Sequence, residues 1–493
     1  MNTMQVEKLI FQLSRDGRSG NYVPEERDLS FIPEKMKRER PLNLPSVPEN
    51  QVVRHFVRLS NLNYGVDTGM YPLGSCTMKY NPKINEKIAR DPAFLNLHPY
   101  QDESTIQGAL KIMYQLGEDL KLLSGMDGIT LQPAAGAHGE LTGILISRAY
   151  HTAQGNPRKK ILVPDSSHGT NPATAAMCGY RVVTLPSNER GTIDTKSLKE
   201  NMDDEVAALM ITNPNTLGIF ENEIEEVASI VHEKGGLLYY DGANMNAIMG
   251  YVRPGDMGFD MVHFNLHKTF STPHGTGGPG AGPVAVKERL KPFLPYPTVG
   301  KNEERYFFDY SHRETSIGKM RAFHGNFLIL LRALLYIRSN GFSGLKRVSK
   351  HAVLNASYLK KKISHLFEDP YRAATMHEFV LSASNLKKQY GIRTIDIAKR
   401  ILDFGLHAPT IYFPLIVKEA LMIEPTESET VENLDDFASV MEKIAEEAKK
   451  NPSILHDAPH NTPVGRPDET TANRKPILKA FSLPERRPDK QEG

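Results

Sequence analysis

The chain has 493 residues, 40% apolar and 24% charged, with 60 basic against 58 acidic side chains. That length calls for two packed domains, and the near balance of charge excludes a dedicated nucleic-acid or membrane-surface protein. No apolar run reaches the ~18–20 residues that span a bilayer, and the two distant cysteines, Cys76 and Cys178, form neither a zinc knuckle nor a disulfide framework.

The N-terminus, MNTMQVEKLIFQLSRDG, has its apolar stretch broken by Glu7, Lys8 and Gln12, so it reads as neither a secretory signal nor a transit peptide. With the cysteine usage, this implies a cytoplasmic protein. From about residue 21 to 50 the chain is rich in proline and charge, which predicts an extended arm or a disordered one; residues 1–60 are assigned to that arm. Between about 125 and 290, short apolar runs recur at Lys160–Val163, Val182–Leu185, Val206–Ile211, Leu237–Tyr240, Met261–Phe264 and Val284–Val286. Helix-like segments separate several of them. One is 221–236, with Ile224, Val227, Ile230 and Val231 on one face and a stop at Gly235–Gly236. Another is 131–150, with Leu141, Ile144, Leu145 and Ala149 as its expected buried face. Such alternation predicts an α/β fold with a mainly parallel sheet over residues 61–325, covered on both sides. Phe327–Ile337 reads as a helix opening a smaller α+β domain over 326–450, which continues through 378–383 and 394–409. Residues 451–493 are again proline- and charge-rich and read as irregular.

Ligands of such sheets bind beyond the carboxyl ends of the strands, and the polar residues gather there. Lys268 lies just past one strand end, before the glycine-rich GTGGPG at 275–280; a lysine in a desolvated or cationic setting condenses with carbonyls. Asp241 directly follows another strand. It suits the pyridine nitrogen of a cofactor ring, or equally a helix cap or a turn with Gly242. Ala135, Gly136 and Ala137 open a helix without bulky side chains, as a phosphate seat requires and as close packing also would. His168 follows a further strand and could stack on an aromatic ring, although a loop histidine is also commonly just solvated. Asn215 and Thr216 lie at another strand end, and Ala243 follows Asp241. Phosphate seat, stacking residue, polar turn, aspartate and lysine in this order predict a pyridoxal-phosphate site. The glycine run matches G-x-G-x-x-G only formally, because Pro279 and a following strand replace the helix that a dinucleotide needs. No metal site is expected from His263 and His267, which lack the glutamate of a zinc-protease helix.

The run HFNLHKTFSTPHGTGGPGAGP at 263–283, with LQPAAGAHGE, SSHGTNPA, NPNTLGIFE and YYDGAN, resembles the glycine cleavage system P-protein. The closer resemblance is to subunit 2 of the two-subunit glycine dehydrogenase (decarboxylating), and GSCTMKYNP at 74–82 and HNTPVGRPDE at 460–469 extend it over nearly the whole chain. The resemblance implies the fold type I, aspartate aminotransferase-like architecture of pyridoxal-phosphate-dependent transferases. It implies pyridoxal 5'-phosphate, with Lys268 as its Schiff-base lysine, Asp241 on the pyridine nitrogen, His168 on the ring, and Ala135, Gly136 and Ala137 under the phosphate. It implies decarboxylation of glycine, with the aminomethyl group passing to the lipoyl arm of H-protein. It also implies a partner, subunit 1, with two copies of each subunit. Lys268, His267 and His168 are then the candidates for moving protons, tuned toward neutral pH. The rival readings are an amino-acid decarboxylase, desulfurase or aminotransferase of the same fold, and a scaffold subunit without catalysis. Thr77, Lys79, Arg313 and Arg372 are candidates to hold the substrate carboxylate.

Overall fold

The computed structural model describes residues 7–18, 30–38, 42, 44–274, 280–303 and 305–478. The chain divides into two compact units, one of residues 64–456 and one joining 1–63 to 457–493. No helix among the described residues is long and apolar enough to cross a membrane.

The larger unit is built on a seven-stranded sheet: β1 Gly128–Thr130, β2 Lys160–Pro164, β3 Arg181–Leu185, β4 Val206–Thr212, β5 Leu237–Gly242, β6 Met261–Phe264 and β7 Val284–Val286. Their order is β1-β7-β6-β5-β4-β2-β3. The strands from β6 to β3 are parallel, and β7 runs antiparallel to both β6 and β1. Six of these strands coincide with the apolar runs of the sequence. β1 went unread, since three residues beginning at a glycine carry no alternation.

Side chains alternate across the strands and divide the interior in two. Leu162, Leu209, Leu238, Tyr240 and Val262 face one core, shared with α1 (Gln107–Ser124). Ile161, Met210, Leu237, Tyr239 and Met261 face the other, shared with α2 (Gly136–Ala153). The buried face of α2 is rotated from the expected one: Gly139, Glu140, Gly143, Ile144 and Ser147 are buried, while Leu141, Leu145 and Ala149 are only partly so. The cause is close approach. A Cβ on Gly143 would come within 2.4 Å of the Tyr239 ring, so the helix presses its backbone, not its leucines, onto the sheet. Helices α3 (Thr170–Met177) and α4 (Ile224–Glu233) follow β2 and β4, and β8 (Thr298–Asn302) pairs with β9 (Arg305–Asp309) in a separate two-stranded sheet. In α4 all four expected apolar residues are buried, and the helix stops before Gly235, at φ +70°.

The helix read at 327–337 runs on as α5 (Phe327–Ile363), through a break at Gly341 with φ 61° and ψ −179°. Its first part packs in the core of α1, and its last turns pack in a second core with β10 (Phe379–Ser382), β12 (Ala420–Ile423) and α6 (Val431–Lys450). β12 is central in that small antiparallel sheet, flanked by β10 and β11 (Thr410–Ile411). In the other unit, the helix Glu49–Asn61 occupies the end of the segment read as an extended arm. It is tied by Glu7 to Arg58 at 2.7 and 2.8 Å and to His55 at 3.0 Å. The C-terminal stretch holds a further helix at Glu469–Arg474.

Candidate active site

Three strand ends lie side by side. Register pairs Thr212 of β4 with Asp241 of β5, and Asp241 with His263 of β6, so all three point to the same face, toward the N-terminus of α2. There the structure encloses a cavity of about 380 Å³ lined by Ser75, Cys76, Ala135, Gly136, Ala137, Glu140, His168, Thr170, Thr212, Thr216, Asp241, Ala243, Asn244, Asn265, His267, Lys268 and His274.

Asp241 is buried and accepts the Ala243 N–H at 3.0 Å. His263 Nε2 stands 3.3 Å from its Oδ1, and the Tyr239 hydroxyl is 2.6 Å from His263 Nδ1. Burial keeps the Tyr239 phenol protonated, well above its ordinary range, so its hydroxyl can donate to Nδ1. Burial opposes the charge of Asp241, but His263, Lys268 and the Ala243 N–H outweigh it and hold this carboxyl below its usual range. Lys268 follows β6 by one turn, and its ammonium donates to the Ser75 carbonyl at 2.8 Å. Ser75 itself adopts a left-handed φ of 66°. Its N–H donates to Glu378 Oε2 at 2.8 Å, Glu378 Oε1 accepts from Asn244 at 2.9 Å, and Thr77 donates to Glu424 at 2.5 Å. Two buried carboxyl groups, one just before β10 and one just after β12, thus fix the turn that receives the lysine.

The residues fit pyridoxal phosphate. Helix α2 begins at Gly136 with Ala135 extended before it and no side-chain cap, which leaves backbone N–H groups free for a phosphate. A Cβ on Gly136 would stand 1.9 Å from Asn265 Oδ1, so only glycine keeps this floor open. Thr212 Oγ1 and His267 Nδ1 line the cavity without a hydrogen-bond partner among the described residues. Asp241 and Lys268 offer the carboxylate for a ring nitrogen and the amine for an aldehyde.

Of the residues singled out in the sequence, Lys268, Asp241, Ala243, His168, His267, Ala135, Gly136, Ala137 and Thr216 meet at this cavity. Thr216 gives its hydroxyl to the Ser166 carbonyl. Asn215 does not line the cavity: its amide closes the adjoining turn, donating to the Gly191 carbonyl at 2.7 Å and accepting from Leu217 and Ile219. None of the four candidates for the substrate carboxylate lines it either. Thr77 is engaged by Glu424, and Lys79 is buried against Glu427 at 2.7 Å. Arg313 lies over Tyr296, and Arg372 is exposed. His267 is not poised near neutral pH, since burial and then the charge of Lys268 push it down to about 3. The glycine run at 275–279 lies outside the described residues.

Glu140 was missed. It is buried on α2, its Oε1 lies 2.8 Å from Thr170 Oγ1, its Oε2 accepts from Thr174 at 3.4 Å, and a carboxyl oxygen comes within 4.8 Å of the polar side-chain atoms of Asp241 and His263. Its signal was an acid in helical register with Gly136 and Ile144, on the face that meets the sheet.

The family described as "Glycine dehydrogenase, C-terminal domain" matches residues 348–463, and "Aminotransferase class-V" matches 141–373. The chain is 59% identical, over 96% of its length and 95% of the relative's, to "Probable glycine dehydrogenase (decarboxylating) subunit 2" of Pyrococcus abyssi. It is 58% identical, over 96% and 99%, to the protein of the same name from Caldanaerobacter subterraneus subsp. tengcongensis. Among solved structures it is similar to an inhibitor-bound glycine decarboxylase (P-protein) of the glycine cleavage system, with TM-score 0.69, 20% identity, and 84% of this chain and 94% of that one covered. A Lactobacillus brevis glutamate decarboxylase gives TM-score 0.64 at 13% identity, with 85% and 96% covered; at such identities both show the fold, that of pyridoxal-phosphate fold type I. The identity to the curated relatives, sustained over nearly the full length of both chains, makes this protein a member of the glycine dehydrogenase (decarboxylating) subunit 2 family.

Proposed function

We propose that this chain uses pyridoxal 5'-phosphate, held through Lys268 and Asp241, to decarboxylate glycine and to pass the aminomethyl group to the lipoyl arm of H-protein. The observation that carries the reading is that Lys268 and Asp241, from different strand ends, line one cavity whose floor is the open N-terminus of α2. The family membership supplies the substrate. Bound cofactor supplies an electron sink for the pair left behind when the glycine carboxylate departs as carbon dioxide.

The chain's own residues do the rest. Asp241, kept ionised by its neighbours, holds a proton on the ring nitrogen. Lys268 would hold the cofactor through its amine, which the Ser75 carbonyl positions at the cavity. The N–H groups of Gly136 and Ala137 would hold the phosphate, and His168 would cover the ring. Forming the new carbon–sulfur bond breaks the lipoyl disulfide, and the departing sulfur leaves as a thiolate that needs a proton. A family named for its second subunit implies a partner subunit. We assign that partner as subunit 1, in a complex with two copies of each chain, acting in the cytoplasm.

The test is spectroscopic. The purified chain with its partner and added pyridoxal phosphate should show a visible band that borohydride abolishes, leaving a phosphopyridoxyl group on Lys268. Lys268→Ala should lose both the band and glycine–bicarbonate exchange. A Lys268→Ala protein that kept its exchange activity would remove the lysine from the mechanism.

A further inference from the structure

Glu140 is a buried carboxyl that the reaction above does not use, and its contacts form a chain. Glu140 Oε1 lies 2.8 Å from Thr170 Oγ1, and Thr170 Oγ1 lies 2.8 Å from His168 Nδ1. The Thr170 N–H also points to His168 Nδ1, at 3.3 Å. A hydroxyl has one proton to give. If Nδ1 accepts from the Thr170 N–H, it also accepts the hydroxyl proton. The short contact to Glu140 is then satisfied only by a protonated carboxyl donating to Thr170. Burial, followed by the charge of Asp241, pushes Glu140 up to about 8, and burial pushes His168 down, so neutral acid, hydroxyl and neutral imidazole is the resting arrangement.

We infer that Glu140, Thr170 and His168 form a proton wire ending at the cavity, with Glu140 as its reservoir. In the transfer, the carboxyl proton of Glu140 moves to Thr170 Oγ1 while the hydroxyl proton of Thr170 moves to His168 Nδ1. The products are a carboxylate and an imidazolium, and nothing is oxidised or reduced. The Nε2 proton of His168 is then the one offered to the departing thiolate. The ionisable groups around the wire are Asp241, His263 and Tyr239 beneath Glu140, and Lys268 and Asp241 beside His168. Glu140 acts only through His168. The inference rests on the proposed function for what His168 faces, but the wire can be tested without it.

Glu140→Gln keeps a donor to Thr170 Oγ1 in its amide nitrogen and removes the acidic proton; Thr170→Val removes the relay, and Thr170→Ser restores it. In the complex loaded with pyridoxal phosphate and supplied with lipoylated H-protein, both Glu140→Gln and Thr170→Val should slow glycine–bicarbonate exchange by about tenfold or more, as loss of a positioned proton donor does. The visible band and its borohydride adduct should survive in each. The double variant should be no slower than either single one, and Thr170→Ser should lie within about twofold of the unaltered chain. Independently, in the full chain without cofactor, ¹⁵N-labelled histidine should show an inflection of the His168 signals near pH 8 that is absent in Glu140→Gln. Additive losses in the double variant, a Thr170→Ser chain as slow as Thr170→Val, or a His168 signal unchanged by Glu140→Gln would each overturn the wire. Absence of any borohydride adduct in the unaltered complex would instead overturn the proposed function and leave the histidine titration to decide the wire.

Discussion

Glu221 shows what burial does to a single carboxyl. It stands 3% exposed, accepts the Ile193 N–H at 3.1 Å and an Asn215 amide contact at 3.4 Å, and burial pushes it up to about 7. A carboxyl whose folded value is raised binds its proton more tightly in the native chain than in the unfolded one. It therefore favours folding at low pH and loses that contribution as pH rises from its unfolded value through about 7. A shift of this size corresponds to about 3 kcal/mol, so the melting temperature should fall between pH 5 and pH 8, and Glu221→Gln should flatten that fall. Equal slopes in the two proteins would remove Glu221 from the account. Residues of this kind also mark where the sequence stops being legible. Lys268 and Asp241 were readable because each follows a strand-like run, where chemistry collects in parallel sheets. Glu140, Glu378 and Glu424 lie inside or beside apolar segments, and their importance comes from neighbours distant in sequence, 30 positions away for Thr170 and Glu140 and 303 and 347 for the two others.

Helix α2 carries the same lesson at the level of an element. Its existence and its opening on small residues were legible, but not its rotation. An apolar-periodicity reading seats the leucines on the sheet; the glycines let the backbone itself sit there, and that turns Glu140 inward. Gly136→Ala should therefore act locally. The added methyl would displace Asn265 and intrude on the phosphate floor. The expected result is at least a tenfold weaker affinity for pyridoxal phosphate in a spectral titration, or about 1.4 kcal/mol, with the circular dichroism unchanged. An unaltered affinity would show that the phosphate does not sit on this helix. Helix α5 shows a different failure of periodicity: the reading stopped at Ile337, whereas the chain bends at Gly341 and the helix resumes to Ile363.

Across the whole molecule, α5 joins two cores, and its bend lets one helix serve both. Gly341 holds φ 61° and ψ −179° with nothing within 4 Å of where a Cβ would stand, so the constraint is purely one of backbone conformation. Gly341→Ala should cost about 1–3 kcal/mol in chemical denaturation, without altering the site spectrum. A neutral substitution would mean that the helix straightens at no cost. The boundary placed at 325/326 sits just before this helix, but the helix it precedes belongs to both cores, because shared burial leaves no trace in composition. The turn at Ser75 ties the cores together a second time, its carbonyl accepting from Lys268 beyond the large sheet and its other groups held by Glu378 and, through Thr77, Glu424 beside the small one. Its consequence concerns synthesis. The segment from 74 to 77 and the lysine at 268 leave the ribosome long before residues 378 and 424 do, so the amine's resting place cannot be set until the nascent chain is nearly complete. A chain released early would carry every cofactor residue of the sheet and still lack a settled site, which defers cofactor capture to the full-length protein.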